Sequence, residues 1–258
     1  MLGKPVAATS SEEQALTDVE MLIGSNNANT LKHIFGVMEP RFAKIWARDE
    51  EKLASLARRL QERLRSDDVA RAVAVVENLH GAKPPDLEII LILSRGKGST
   101  SGSANEGPGG ITIGALETED INSIVEVVIH ESIHLLEPAR FMDIYHGISK
   151  THGLEEIRGE KYWNAHIMVR EAIVGALVPG GALAPLIGGR IRDFASEAQQ
   201  LRAAGCDDNA DLTALTGYCL PLMQEYIDAA KPIDAELIER AIAIFHARQN
   251  EFSRTSPH

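Results

Sequence analysis

Two histidines, His130 and His134, stand four residues apart, with Glu131 directly after the first. They lie in the run Val127-Val128-Ile129-His130-Glu131-Ser132-Ile133-His134-Leu135-Leu136. On an α-helix, residues i and i+4 project from one face, a turn apart. Two neutral imidazoles so placed can share one zinc ion, each at about 2.0–2.1 Å from it. Zinc polarises a carbonyl and makes hydroxide accessible near neutral pH. Glu131, beside the first ligand, is then the candidate general base, taking a proton from the activated water and handing it to a leaving amine. With nine histidines in the chain, an HExxH arises by chance roughly 0.03 times, so the spacing is read as a motif. The competing reading is a pair of satisfied core histidines.

The pattern over residues 121–136 predicts the helix that must carry these groups. Thr118 and Asp120 offer N-caps, and Pro138 stops it. The segment is apolar almost all round, which predicts burial. Two histidines and a glutamate in a buried helix need partners, and a metal supplies them.

At this motif the chain resembles the zincin metallopeptidases. Val127, Val128, Ser132, Ile133, Leu135 and Leu136 match the uncharged surroundings that this family keeps around HExxH. The resemblance covers roughly residues 85–180. It implies a motif helix packed beneath a small sheet, whose edge strand lies just upstream and holds the substrate backbone. Residues 110–115 (GITIGA) stand where that edge strand is expected. A catalytic zinc needs a third protein ligand. The metzincin pattern HExxHxxGxxH is excluded, because Glu137 and Arg140 occupy its glycine and last histidine positions. The gluzincins take a glutamate from a second helix downstream. Glu155, Glu156 and Glu160 lie in a polar run, LEEIRGEK, whereas Glu171 lies in the apolar segment IMVREAIVGAL. On a helix, Glu171 shares a face with Asn164, Ile167, Met168, Val174 and Gly175. Ala172 and Gly175 are small enough to let that helix approach the motif helix closely. A carboxylate buried there must pair with a cation, either a core Arg or Lys or a metal.

The resemblance therefore implies His130, His134 and Glu171 as zinc ligands and Glu131 as the base. Thermolysin-like members carry an Asp four residues after the ligand glutamate; here that position is Gly175, so the partners that orient the ligands come from elsewhere. Candidates for an oxyanion donor are Tyr145, His146, His152, Tyr162, His166, Tyr218 and Tyr226, and nothing local singles one out. The implied function is zinc-dependent peptide hydrolysis, with a peptide or protein as substrate. The alternative is a non-catalytic helical interaction protein that retains a zinc site. A peptide deformylase is excluded, since its ligand cysteine lies upstream and no cysteine precedes Cys206.

Composition agrees with a folded, water-soluble chain: 258 residues, 44% hydrophobic and 24% charged. Its net charge of −11 repels phosphate backbones, so nucleic acid is not an expected partner. Cys206 and Cys219 form no CxxC. No apolar leader core opens the chain, which predicts a cytoplasmic protein or a mature secreted form whose leader is omitted. Residues 172–189 are uncharged, but their glycines with Pro179 and Pro185 predict a buried helix running into a loop, not a membrane span.

Around the motif, the expected fold class is α+β, mostly helical with a small central sheet and a zincin-like catalytic core. Residues 1–83 read as an N-terminal helical region, with helices at 11–23, 30–37, 40–64 and 68–80. A break falls at Ser25-Asn26-Asn27, and Pro40 stands at the first turn of the long helix. Residues 84–258 hold the catalytic region and the C-terminal helices, the whole forming one compact unit. Residues 87–93 predict a buried strand, 95–110 a flexible Gly/Ser loop (a candidate lid or substrate clasp) and 111–113 a second strand. Helices are expected at 190–204, 209–229 and 232–249, with a frayed tail at 253–258.

Overall fold

The computed structural model describes residues 17, 20–83, 87–94, 100–105, 110–116, 120–137, 144–145, 147 and 165–252. Along the chain run α1 (Ser25–Leu64), α2 (Asp67–His80), β1 (Glu88–Ser94), β2 (Ser101–Asn105), β3 (Gly110–Leu116) and α3 (Ile121–Leu136). They are followed by α4 (Ala165–Gly175), a 3-10 turn (Ala184–Ile187), α5 (Phe194–Ala203), α6 (Asp207–Asp228) and α7 (Ala235–Phe252). The class is α+β, mostly helical around one three-stranded sheet.

The N-terminal region corrects two expectations. The break falls at Gly24, whose φ of 79° is open to glycine at no steric cost, and not at Ser25-Asn26-Asn27. Beyond it the two expected helices are one, 40 residues long, with Pro40 inside. Proline removes one N–H and crowds the carbonyl four residues back. That residue is Gly36, and both positions are exposed, so water can satisfy the freed carbonyl. Leu56 and Leu60 are buried and Leu53 and Leu64 half-buried, which makes the expected leucine face. Gly81, at φ 60°, ends α2 where its position predicts.

The sheet has the order β1-β3-β2, with β1 parallel and β2 antiparallel to β3. Three expectations change here. The run 87–93 is not a strand buried on both faces: β1 is an edge strand, and Ile90 and Ile92 are exposed by 42% and 53%. Helices cover one face of this small sheet, so Ile89 and Leu91 meet the core while Ile90 and Ile92 do not. The stretch 95–110 is not a loop throughout, because β2 lies inside it. And the GITIGA segment forms the central strand, not the edge. Register aligns Ile89, Ile111 and Ala104 in one row and Leu91, Ile113 and Gly102 in the next. Ile111, Ile113 and Ala115 of β3 are fully buried, which places these rows on the core face.

Helix α3 spans 121–136 as expected. Asp120 caps it, its carboxylate accepting the Asn122 N–H at 3.3 Å. Ile124, Val125, Val128, Ile129 and Ile133 are buried along it, and each such side chain contributes about 1.5–3 kcal/mol. Pro138 lies outside the described residues. Helix α4 runs into the Gly/Pro turn as predicted, but Gly175 does not serve approach to α3. A Cβ there would stand 3.1 Å from Thr216 Cγ2, so its smallness lets α4 pack on α6. One hydrophobic cluster joins α1, α2, the sheet and the C-terminal helices, from Leu56 to Phe245. Among the described residues no helix is long and apolar enough to cross a membrane.

Arg63, at the end of α1, ties four elements together. Its guanidinium donates to Asn122 Oδ1 in α3 at 2.7 Å, to both Asp68 oxygens at 2.7 Å, and to the Ile187 carbonyl at 2.8 Å. That two-pronged bond holds the Asp68 carboxyl well below its usual range. Replacing Arg63 with Ala leaves the Asn122 amide and the Ile187 carbonyl without this donor. Thermal unfolding of Arg63→Ala is expected several degrees below wild type; an unchanged Tm would show the tie to be idle.

The two cysteines are free thiols, Cys206 exposed and Cys219 buried. Burial pushes the Cys219 thiol up to about 12. Titration of the native chain with a thiol reagent is therefore expected to modify Cys206 promptly and Cys219 only after unfolding.

Candidate metal centre

Three side chains from two helices meet at one point. His130 and His134 come from successive turns of α3, and Glu171 from the middle of α4. Their ligand atoms lie within 4.8 Å of one another, the arrangement expected of a metal-binding group. His130 Nε2 and His134 Nε2 are 3.1 Å apart, and Glu171 Oε2 stands 3.4 Å from each. The rings are edge-on, with centroids 4.8 Å apart and planes at 78°. Ligand atoms placed tetrahedrally at about 2.0–2.1 Å from one zinc ion are about 3.3 Å apart. The observed spacing fits that figure, so the donor set and its geometry suit the ion that the motif implies. Glu155, Glu156 and Glu160, the other candidates for third ligand, lie outside the described residues.

The candidate ligands are oriented from behind. His130 Nδ1 is 2.9 Å from the Val178 carbonyl. A carbonyl only accepts, so the proton sits on Nδ1 and Nε2 presents a lone pair to the cluster. The turn that supplies Val178 is itself held. Glu126, one turn before His130, is buried and accepts the Gly180 N–H. Burial pushes the Glu126 carboxyl up, and the Gly180 bond partly offsets this. His134 is backed by Glu137, whose Oε2 lies 3.6 Å from His134 Nδ1, just outside hydrogen-bond range. Glu137 is in turn ion-paired with Arg170. The sequence left these backing groups unnamed. Their only signals were a glutamate three residues after His134 and an arginine directly before Glu171.

Electrostatics follow from this packing. Burial alone would lower the His134 imidazole; the carboxylates of Glu137 and Glu171 outweigh it and hold it up at about 9. Burial would likewise raise Glu171, but the bonds from His130 and His134 keep its carboxyl well below the usual range. The Glu171 carboxylate facing both imidazoles favours a cation at the cluster.

Glu131 turns toward the sheet. Its Oε2 accepts the Ala104 N–H of β2 at 2.8 Å. Gly102, on the same face of β2, makes the approach possible: a Cβ there would stand 2.5 Å from Glu131 Cγ and 2.8 Å from Val127 Cγ1. Gly102, Ser103, Ala104, Leu135 and Arg170 join the four motif and ligand residues around a cleft of about 340 Å³. A cavity of equal volume lies between α5 and α6, lined by Arg192, Phe194, Arg202 and Tyr218; among the described residues the grouping of histidines and a carboxylate is at the first cleft.

The oxyanion candidates separate. Tyr145 is buried, and its hydroxyl is pushed well above its ordinary value by that burial and by nearby Glu137. Tyr226 donates to Asp234 at 2.9 Å and Tyr218 lies under Arg248; neither lines the cleft. His146, His152 and Tyr162 lie outside the described residues, as does the side chain of His166.

No family model, curated protein or solved structure matches the chain.

The geometry makes the ligands and their backing separable by mutation. Zinc content by elemental analysis is expected near one per chain for wild type and to fall sharply in Glu171→Ala. Glu137→Gln, which keeps the shape and removes the charge behind His134, is expected to weaken zinc about 10–100-fold in a chelator competition. Equal affinity in wild type and Glu171→Ala would remove Glu171 from the ligand set.

Proposed function

We propose that the chain is a zinc-dependent metallopeptidase of the gluzincin kind, hydrolysing peptide bonds in a peptide or protein substrate. The observation that carries this reading is the convergence of His130 Nε2, His134 Nε2 and Glu171 Oε2 at 3.1–3.4 Å beside Glu131. Two histidines and one glutamate make a three-ligand set that leaves a coordination position open, as catalytic zinc requires. A zinc ion held there would supply Lewis acidity toward a carbonyl oxygen and toward water.

The remaining work falls to the chain's own groups. Glu131 lines the cleft beside the ligands, with Oε2 fixed by the Ala104 N–H. That bond aims the carboxylate and leaves Oε1 to accept a proton from water and return it to the leaving amine. His130 keeps its proton on Nδ1, committed to the Val178 carbonyl, so its other nitrogen stays available to the metal. Arg170 brings a guanidinium to the cleft wall, and its ion pair with Glu137 fixes it there. Strand β2 bounds the cleft as the sheet's antiparallel edge. Such an edge suits an extended peptide, which binds by adding a strand.

Glu131→Gln separates metal binding from chemistry. It is expected to keep zinc at the wild-type level and to lose about 10²–10⁴-fold of the hydrolysis of a mixed quenched-fluorescent peptide library. Hydrolysis retained in Glu131→Gln would overturn the assigned base. Zinc-loaded wild type that cleaves no peptide would shift the reading to an interaction protein with a zinc site.

A further inference from the structure

The cleft holds one donor whose capacity the hydrolytic scheme leaves unspent. A guanidinium carries five N–H groups. Arg170, directly before Glu171 in α4, gives its Nε–H to Glu137 Oε2. Among the described residues its two terminal nitrogens form no hydrogen bond. Neither is sealed from water, and the side chain is 24% exposed. Arg170 lines the cleft together with His130, Glu131, His134 and Glu171, and among the described residues no other Lys or Arg does.

The guanidinium is held in place. Glu137 ends α3 as its C-cap, its side chain is buried, and the same Oε2 stands 3.6 Å from His134 Nδ1. One carboxylate therefore sets the guanidinium and a candidate metal ligand relative to each other. It engages Nε alone, which leaves open the end of the fork, with one N–H from each terminal nitrogen. Two parallel N–H groups match the two oxygens of a carboxylate, and such charged pairs are about twice as strong as neutral ones. A backbone carbonyl would occupy one of them only. Recognition of this kind rests on the shape of the fork, not on a surplus of positive charge. Charge does not oppose it either. Glu137 offsets Arg170, and a zinc ion in the centre would offset Glu131 and Glu171, so the loaded cleft would carry no net charge to repel an anion.

We propose that the open end of the Arg170 fork binds a carboxylate of the substrate close to the scissile bond. The chain then selects peptides that present one there, as a C-terminus or as an acidic side chain. This deepens the metallopeptidase reading and rests on it for the kind of substrate.

Binding should be measured by calorimetry on zinc-loaded Glu131→Gln, which lacks the assigned base, so the peptides survive. One acetylated, uncharged hexapeptide is made as the C-terminal amide, as the free acid, and as amides with a single glutamate at each position in turn. At least one carboxylate form is expected to bind about 10–100-fold more tightly than the neutral amide. Preference for the free acid assigns the C-terminus, and preference for a glutamate peptide assigns a side chain. Adding Arg170→Met should abolish the preference. Arg170→Lys keeps a charge beside Glu137 and loses the fork, and should remove most of it. Each comparison is between peptides on one protein, so a change in zinc affinity common to them cancels. Equal binding of all the peptides, no binding by any, or a preference that persists in Arg170→Met or is undiminished in Arg170→Lys would overturn the proposal. The two readings fail separately. Wild type that hydrolyses peptides without regard to carboxylates removes the role of Arg170 and leaves the metallopeptidase. A carboxylate preference in binding, with no hydrolysis by zinc-loaded wild type, removes the peptidase and leaves the carboxylate site.

Discussion

Two imidazoles from the second half of a buried helix and a carboxylate from another, held within 3.4 Å of one another, form a cluster that folding cannot assemble without compensation. Each group brought away from water must recover what it loses through partners. The surroundings are arranged around that demand. The Val178 carbonyl accepts the His130 Nδ1–H, Glu126 secures the turn behind it, and Glu137 with Arg170 backs His134. On the opposite side, Asn122 in the first turn of α3 is bonded to Arg63, so the helix that carries the histidines is anchored at its start as well as along its length. The small sheet closes over the helix at Gly102, where no side chain stands between strand and carboxylate.

Much of this was legible in the sequence because it rests on local pattern. The spacing of His130, Glu131 and His134 required a helix, and Asp120 marked its start. The apolar setting of Glu171 separated it from the acidic residues of a polar run, and the structure brings it to the two histidines. What the sequence hid depends on contacts between distant segments. Strand β2, Ser-Gly-Ser-Ala-Asn, has the composition of a loop. Its small residues are small because α3 crosses directly over Gly102 and Ala104, while Ser101 and Ser103 face outward. Gly175 was read as permitting approach to the motif helix, but it packs against Thr216, about forty residues further on, and no local signal names that partner. The apolar run in β1 suggested cover on both faces, yet the number of layers over a sheet is not written in any one strand.

Pro40 shows the same limit from the other direction. Locally it reads as a helix start, and Ser25-Asn26-Asn27 as a break. A solvent-exposed stretch accommodates a proline that a buried one would not, because water can take the unpaired carbonyl. Exposure, a property of the whole fold, therefore decides what a local residue does.

The uninterrupted α1 also governs how the molecule moves through solution. A compact chain of 258 residues has a radius of gyration of about 18 Å, whereas a 40-residue helix is about 60 Å long. With Lys32 to Arg48 exposed on every side, the rod extends the frictional envelope far more than it adds mass. A single copy should diffuse and sediment more slowly than a sphere of 28.0 kDa. Early elution from a sizing column is then the mark of an elongated monomer.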